Sequence, residues 1–261
     1  MAEDILQKIV SHKREEILEA GRKTPISELR AAAGNKKDRR SLYGALKNPD
    51  RVNVIAEIKR ASPSKGDIRK DLDPAVLAGA YERGGAAALS VLTDKAFFKG
   101  SLDDLASAKS AVSIPVLRKD FIISEYQVYE SAAAGADAVL LIARILPQHQ
   151  LEELFNLCRK LSMEALVEVH GRGELEAALK TGADIIGINN RNLASFETDI
   201  STAANMAEAI GPGKIAIAAS GISSRNHIDQ NLKAGISRFL IGESLVRSND
   251  PETFLRHLIN G

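Results

Sequence analysis

Eight short apolar runs, each separated from the next by a helix-like stretch, constrain this chain more than any other feature. They are VNVIAEI (52–58), AALSVLT (87–93), IPVLR (114–118), ADAVLLI (136–142), ALVEV (165–169), DIIGIN (184–189), KIAIAAS (214–220) and RFLIG (238–242). Runs of this length, rich in Val and Ile, read as buried strands. Between them lie stretches such as DPAVLAGAYERGG, SEYQVYESAAAGA and PQHQLEELFNLCRKLS, which read as helices. Asp73-Pro74 and Ser124 are helix-start signals, and Gly135, Gly182 and Gly235 are helix stops. Helix ends at residues 84, 135, 182 and 235 each lead into a strand, a spacing of about 50 residues that suits two strand-helix units per repeat. The pattern predicts an α/β fold, a (β/α)8 barrel. An open doubly wound sheet would need a Gly-rich turn after its first strand. KRASPSKGD holds no G-x-G-x-x-G there. GPGK (211–214) precedes a strand and is followed by Ile215, so it is no phosphate-binding Walker loop.

Residues 1–48 read as a helical extension ahead of the barrel at 49–261, the whole forming one domain. Ile5, Leu6, Ile9, Val10, Ile17 and Leu18 recur at helical spacing. Acidic and basic residues are mixed among them, which favours a helix laid on a larger core over a membrane-surface helix. A formal net charge of +1 gives no footprint for nucleic acid. Cys158 is the only cysteine, so no intrachain disulfide forms, and it sits in a helical stretch as a structural thiol. No apolar run spans a bilayer and the N-terminus has no signal-peptide core, so the expectation is a cytoplasmic protein.

In such a barrel, active-site groups sit at the C-terminal ends of strands. Polar groups inside strands are costly when unpaired, so their positions carry information. The first strand ends with Glu57 and Lys59, which share a face because side chains alternate. The third ends with Arg118, Lys119 and Asp120, the fifth carries Glu168, and the sixth ends in Asn189, Asn190 and Arg191. Each could be part of a structural ion network. Several converging on one rim read better as a site. Two glycine turns follow the last two strands, at Ser220-Gly221 and at Gly242-Glu243. Glycine lets a backbone approach a ligand, and free N–H groups at a helix start bind anions, so a phosphate-bearing substrate is expected. The five histidines form no metal signature, and His170 reads as a loop residue beside the site.

IAEIKRASPSKG, VLTDKAFFKGS, IPVLRKDFI, ADAVLLIARIL, ALVEVH, IGINNRNL, ASGISSR and FLIGESL stand in the order found in the indole-3-glycerol phosphate synthase family. The resemblance covers the whole chain, and E-x-K-x-x-S-P-S combined with KDF and NNRNL is highly specific. It implies ring closure, decarboxylation and dehydration of 1-(2-carboxyphenylamino)-1-deoxyribulose 5-phosphate in tryptophan biosynthesis, with no metal or organic cofactor. By the same resemblance Lys119 is the acid for the ketone oxygen and Glu168 assists it. Lys59 and Glu57 serve dehydration as acid and base. Ser62, Asn189 and Arg191 contact polar parts of the substrate. Pro63, Phe98, Phe121, Leu140, Ile142 and Leu193 surround its ring, with plain barrel core as the alternative for Leu140 and Ile142. Ser220, Gly221, Gly242 and Glu243 meet the phosphate. The expected partner is this small sugar phosphate, with no nucleic acid or membrane; the chain is expected to be a monomer, with other enzymes of the pathway as candidate partners.

The chain departs from the family pattern at Ala219, where the family usually has Glu. Asn192 stands for a frequent Asp, and Glu243 for a common small residue. Three other readings compete. A phosphoribosylanthranilate isomerase would need a strand-end Cys, and Cys158 is in a helical stretch. A Schiff-base aldolase would use Lys119 as nucleophile. A barrel that keeps phosphate binding but has lost its chemistry would carry Ala219 as a mark of decay.

Overall fold

A computed structural model describes residues 5–34, 38–191, 199 and 201–261. Eight parallel strands close into a barrel: β1 (Asn53–Ile58), β2 (Ala88–Leu92), β3 (Val116–Lys119), β4 (Ala138–Ile142), β5 (Glu164–Val169), β6 (Ile185–Asn189), β7 (Ile215–Ala219) and β8 (Arg238–Ile241). β8 pairs with β1, so no edge is left open. Each strand lies within two residues of the bounds expected from its apolar run.

Alternation divides the strand side chains into two layers. Ile55, Leu117, Leu140, Leu166, Ile185, Ile217 and Leu240 fill the barrel interior. Val54, Leu89, Val116, Val139, Val167, Ile186 and Phe239 face outward into the helix layer. Helices follow the strands: α4 (Pro74–Arg83), α5 (Leu102–Ala111), α6 (Glu125–Ala134), α7 (Gln148–Lys160), α8 (Arg172–Lys180), α9 (Ser201–Ile210), α10 (Arg225–Lys233), α11 (Glu243–Arg247) and α12 (Pro251–Asn260). Side-chain caps set many of the starts: Asp73 accepts from the backbone of Ala75 and Val76, and Ser124 from that of Tyr126. Gly135 ends α6 in the left-handed conformation, φ 88°, which glycine adopts without strain. Cys158 is buried in α7, and burial pushes its thiol up to about 12.

The N-terminal segment forms α1 (Ile5–Lys23), α2 (Ile26–Gly34) and α3 (Leu42–Leu46), and it runs from one end of the barrel to the other. α1 sets Leu6 and Ile9 against Phe97, Phe98 and Phe121 near the strands' C-terminal ends. α2 packs along α6, with Arg30 3.3 Å from Glu125 and over the Tyr129 ring. α3 puts Leu42 and Leu46 against the opposite end, where Glu164 at the start of β5 accepts from the Tyr43 N–H and Arg238 donates to the Leu46 carbonyl. One difference from the sequence reading lies in the loop after β1. Ala61–Ser62 and Gly66–Asp67 pair as a small antiparallel hairpin, turned through residues 63–65 into Gly66 at φ 64°. Among the described residues no helix is long and apolar enough to cross a membrane.

Candidate active site

A cavity of about 480 Å³ opens at the C-terminal end of the barrel. Its lining carries Glu57 and Lys59 from β1 and the residues after it, Lys119 from β3, Glu168 from β5, and Asn189 and Arg191 from the end of β6. Inward alternation puts Glu57, Lys119, Glu168 and Asn189 one layer above the apolar interior. Lys59 Nζ lies 2.9 Å from Glu57 Oε1, and Lys119 Nζ lies 3.7 Å from Glu168 Oε2. Asn189 Nδ2 donates to Glu168 Oε1 at 3.2 Å, while its Oδ1 accepts from the Arg191 N–H at 3.0 Å. Burial alone would raise the Glu57 carboxyl. Lys59, Lys119 and Arg191 more than offset that and hold it below the usual carboxylate range. Glu57 is therefore anionic and positioned between two lysines.

The two glycine turns form one end of the cavity. Ser220 and Gly221 both have positive φ, 70° and 81°. Such a conformation at Ser220 is uncommon and must be held in place. Asn190 holds it: its side-chain amide donates to the Ser220 carbonyl at 3.1 Å, and its oxygen accepts from the Ala203 N–H in α9. Ser244 joins the two turns by donating to the Ile222 carbonyl. α11 has no side-chain cap, in contrast to α10, which Ser224 caps. The first N–H groups of α11 are thus available to a ligand oxygen. Gly242 has a further reason to be glycine: a Cβ there would lie 2.3 Å from Glu57 Oε1. Glu243 borders this end with its charge matched by Arg247 at 3.0 Å.

The wall between these ends holds Ser62, Pro63, Phe98 and Phe121. The two phenyl rings lie 6.1 Å apart and tilted by 41°. Ser62 Oγ is buried without a hydrogen-bond partner among the described residues, as suits a group that meets a ligand. Leu140 and Ile142 do not reach the cavity; they pack in the apolar interior below it. Leu193 and Asn192 lie outside the described residues.

Arg118 and Asp120 stand on the same rim but face away from the cavity. Asp120 bonds Arg118 at 3.0 Å and Thr93 at 2.6 Å, and Arg118 also meets Glu130 at 2.8 Å. Their outward direction follows from the alternation that turns Lys119 inward. Lys13 of α1 completes this network, 2.9 Å from Asp94 and 3.1 Å from Asp120, and is almost fully buried. Burial opposes charge on Lys13, but the two aspartates outweigh it and raise its pKa. This anchor seats α1 so that Ile5, Leu6 and Ile9 line the cavity. Nothing in a helix with many Lys and Arg residues marks Lys13 in the sequence. Ala219 lines the cavity as well, and no side-chain carboxylate is present at that position. Among the described residues no cluster of three His, Cys, Asp or Glu side chains could hold a metal ion.

Fold and site together define a (β/α)8-barrel enzyme, with two Lys–Glu pairs at the strand ends beside two glycine turns. Among solved structures, thiamine phosphate pyrophosphorylase from Pyrococcus furiosus shares the fold, with TM-score 0.61 and 16% identity over 80% of this chain and 95% of that one. Residues 6–258 match the family model for indole-3-glycerol phosphate synthase. Proteins named indole-3-glycerol phosphate synthase from Desulfosudis oleivorans and Syntrophobacter fumaroxidans are 53% and 51% identical, each over 98% of this chain and 98% and 97% of their own lengths. The chain belongs to the indole-3-glycerol phosphate synthase family.

Proposed function

We propose that the chain converts 1-(2-carboxyphenylamino)-1-deoxyribulose 5-phosphate into indole-3-glycerol phosphate, carbon dioxide and water, a step of tryptophan biosynthesis. The observation that carries this reading is the presence of two Lys–Glu pairs on one cavity, Lys119–Glu168 and Lys59–Glu57. The reaction has two proton-dependent stages. In ring closure an aromatic carbon attacks a ketone, whose oxygen takes a proton from Lys119. Glu168, held by Asn189, orients that lysine and faces the substrate nitrogen. Carbon dioxide then leaves the ring carbon. In dehydration Lys59 protonates the departing hydroxyl and Glu57 removes the proton from carbon. Each positioned acid or base contributes ~10²–10⁴-fold.

Binding follows the cavity's lining. The phosphate lies at Ser220, Gly221, Gly242 and Glu243, on the two glycine turns and the start of α11, which has no side-chain cap. Arg191 and Ser62 meet the polar parts near the carboxylate, and Phe98, Phe121 and Pro63 enclose the ring. Leu140 and Ile142 support the site from below.

The test is an ultraviolet assay of indole-3-glycerol phosphate formation by the parent chain and Lys119→Ala. Turnover by the parent and a loss of about 10²-fold or more in the variant is expected. A parent that binds a phosphate analogue but gives no product refutes the reading and favours a barrel without its chemistry. Borohydride trapping of substrate on Lys119 would favour the Schiff-base route instead.

A further inference from the structure

The reaction proposed above consumes one proton in each turnover. Ring closure releases carbon dioxide from the aromatic carbon where a substitution would ordinarily release a proton, yet the ketone oxygen gains one. Dehydration is balanced in itself: one proton leaves carbon, one joins the hydroxyl, and water departs. The Glu57–Lys59 pair, in direct contact at 2.9 Å, resets by passing that proton back between its members. Lys119 has no such return and must be resupplied from water. We propose that His170 and Glu174 are the inlet through which a proton reaches Lys119, by way of Glu168.

His170 directly follows β5, and Glu174 lies in the first turn of α8. Glu174 Oε2 accepts from the His170 backbone N–H at 2.7 Å and lies 3.1 Å from Nδ1. The other ring nitrogen, Nε2, is buried, has no hydrogen-bond partner among the described residues, and lies 3.7 Å from Glu168 Oε1. The second oxygen of Glu168 faces Lys119 Nζ, also at 3.7 Å. These groups make a continuous row from the reacting lysine outward. Side-chain exposure falls from 20% at Lys119, which lines the cavity, to 4% at Glu168, then rises through 7% at His170 to 25% at Glu174, so the row meets solvent away from the cavity that the substrate fills.

Hydrogen-bond logic places a proton in the row. Glu174 draws the Nδ1 proton, so a neutral ring would aim a bare Nε2 lone pair at the Glu168 carboxylate. A proton between Nε2 and Glu168 turns that repulsion into a charge-assisted bond. The 3.7 Å gaps exceed the ~2.8 Å of such a bond, and catalytic contacts of this kind tighten when substrate arrives. The charges that face the ring are Glu168 and Glu174, with Lys119 beyond the first and Arg144 near the second. Burial would raise the Glu174 carboxyl, but the hydrogen bonds and charge of His170, with Arg144, hold it below the usual carboxylate range. In the transfer, the Nε2 proton moves to Glu168 and from Glu168 to the Lys119 amine. The ring, left neutral with its proton on Nδ1, turns over about its Cβ–Cγ bond so that this N–H faces Glu168, and the bare nitrogen, now toward Glu174, takes one proton from water through it. One proton enters, one reaches Lys119, and no other bond changes.

The test uses the full chain with His170→Gln and Glu174→Gln, the same assay, and rapid mixing at excess enzyme and at excess substrate. The first turnover is expected to keep the parental rate, because the inlet acts only after Lys119 has given its proton to the ketone oxygen. Steady-state kcat falls about tenfold with KM within about twofold, the loss deepens as pH rises, and added imidazole buffer restores it. Glu174→Gln, at the solvent side, carries the test should His170→Gln fail to fold. An unchanged kcat, an equally slowed first turnover, or a loss that buffer does not mend overturns the inlet, because a packing defect shows the last two. A parent chain without turnover refutes the reaction itself and the inlet with it.

Discussion

Gly242→Ala is the sharpest perturbation of the site that leaves every ionisable group in place. A Cβ at 242 would meet Glu57 Oε1 at 2.3 Å, its Cδ at 3.0 Å and its Cβ at 3.1 Å. Ordinary contact is ~3.5–4 Å, so the carboxylate must move by roughly 1 Å. Glu57 is bonded to Lys59 at 2.9 Å and is buried, so that movement opens the pair. Misplacing a reacting group by ~1 Å costs up to ~10²-fold, and overpacking costs ~1–3 kcal/mol of stability. The expected result is a kcat lower by about 10²-fold, with a modest drop in Tm. A double-mutant cycle with Glu57→Ala checks the cause, since that change removes the two nearest atoms. The stability cost of Gly242→Ala should shrink in the Glu57→Ala background. A kcat within about threefold of the parent, or a loss confined to KM, would refute the claim that the glycine makes room for a working Glu57.

Lys13→Met should destabilise the chain by ~3–5 kcal/mol in urea unfolding, since it leaves the buried Asp94 and Asp120 short of a cation, and a loss below ~1 kcal/mol would refute the anchor. Burial opposes ionisation of Asp120, yet Arg118 and Lys13 hold its pKa at about 2. Its contribution to stability is therefore full above the unfolded value of about 3.9 and is lost as pH falls toward 2, and Asp120→Asn should flatten that part of an acid-unfolding profile. Ala219→Glu returns a carboxylate to the cavity wall and is expected to raise kcat/KM about tenfold; an unchanged or lower value would show that the missing carboxylate does not matter in this chain.

The strands were legible because a parallel barrel strand is buried on both faces and so reads as a continuous apolar run. Glu57, Lys59, Lys119 and Glu168 were legible for the opposite reason: an ionisable side chain in such a run needs a partner. The alternation that sends Lys119 inward also sends Arg118 and Asp120 outward, so their separate network was present in the pattern as well. Two features were not legible. The hairpin after β1 has two residues per strand, too few for any periodicity. The course of the N-terminal segment depends on contacts far apart in the chain, such as Lys13 with Asp120 and Ser41 with Glu164. Propensity marks helices over that segment but not which end of the barrel each one meets. His170 carried a signal in its place two residues after Glu168, but its burial against Glu174 shows only in three dimensions.

The charges on the cavity bear on the carboxylate of Glu243 at the proposed phosphate end and on the absence of one at 219. Among the described residues Lys59, Lys65, Lys119, Arg191 and Arg247 line it, against Glu57, Glu168 and Glu243, five cations to three anions. Each glutamate faces a lysine or arginine within 4 Å: Glu57 with Lys59, Glu168 with Lys119, and Glu243 with Arg247. Glu243 therefore adds little net repulsion toward a phosphate, because Arg247, one turn along the same short helix, pairs with it at 3.0 Å. A fourth carboxylate at 219 would reduce the excess of positive charge from two to one. The substrate proposed here brings a phosphate and a carboxylate, and a more positive cavity attracts both. Ala219 thus favours binding of the anion at the expense of a group that could have held it for reaction. On this account its effect divides between the two kinetic constants: a lower KM and a lower kcat than a chain with Glu in that place.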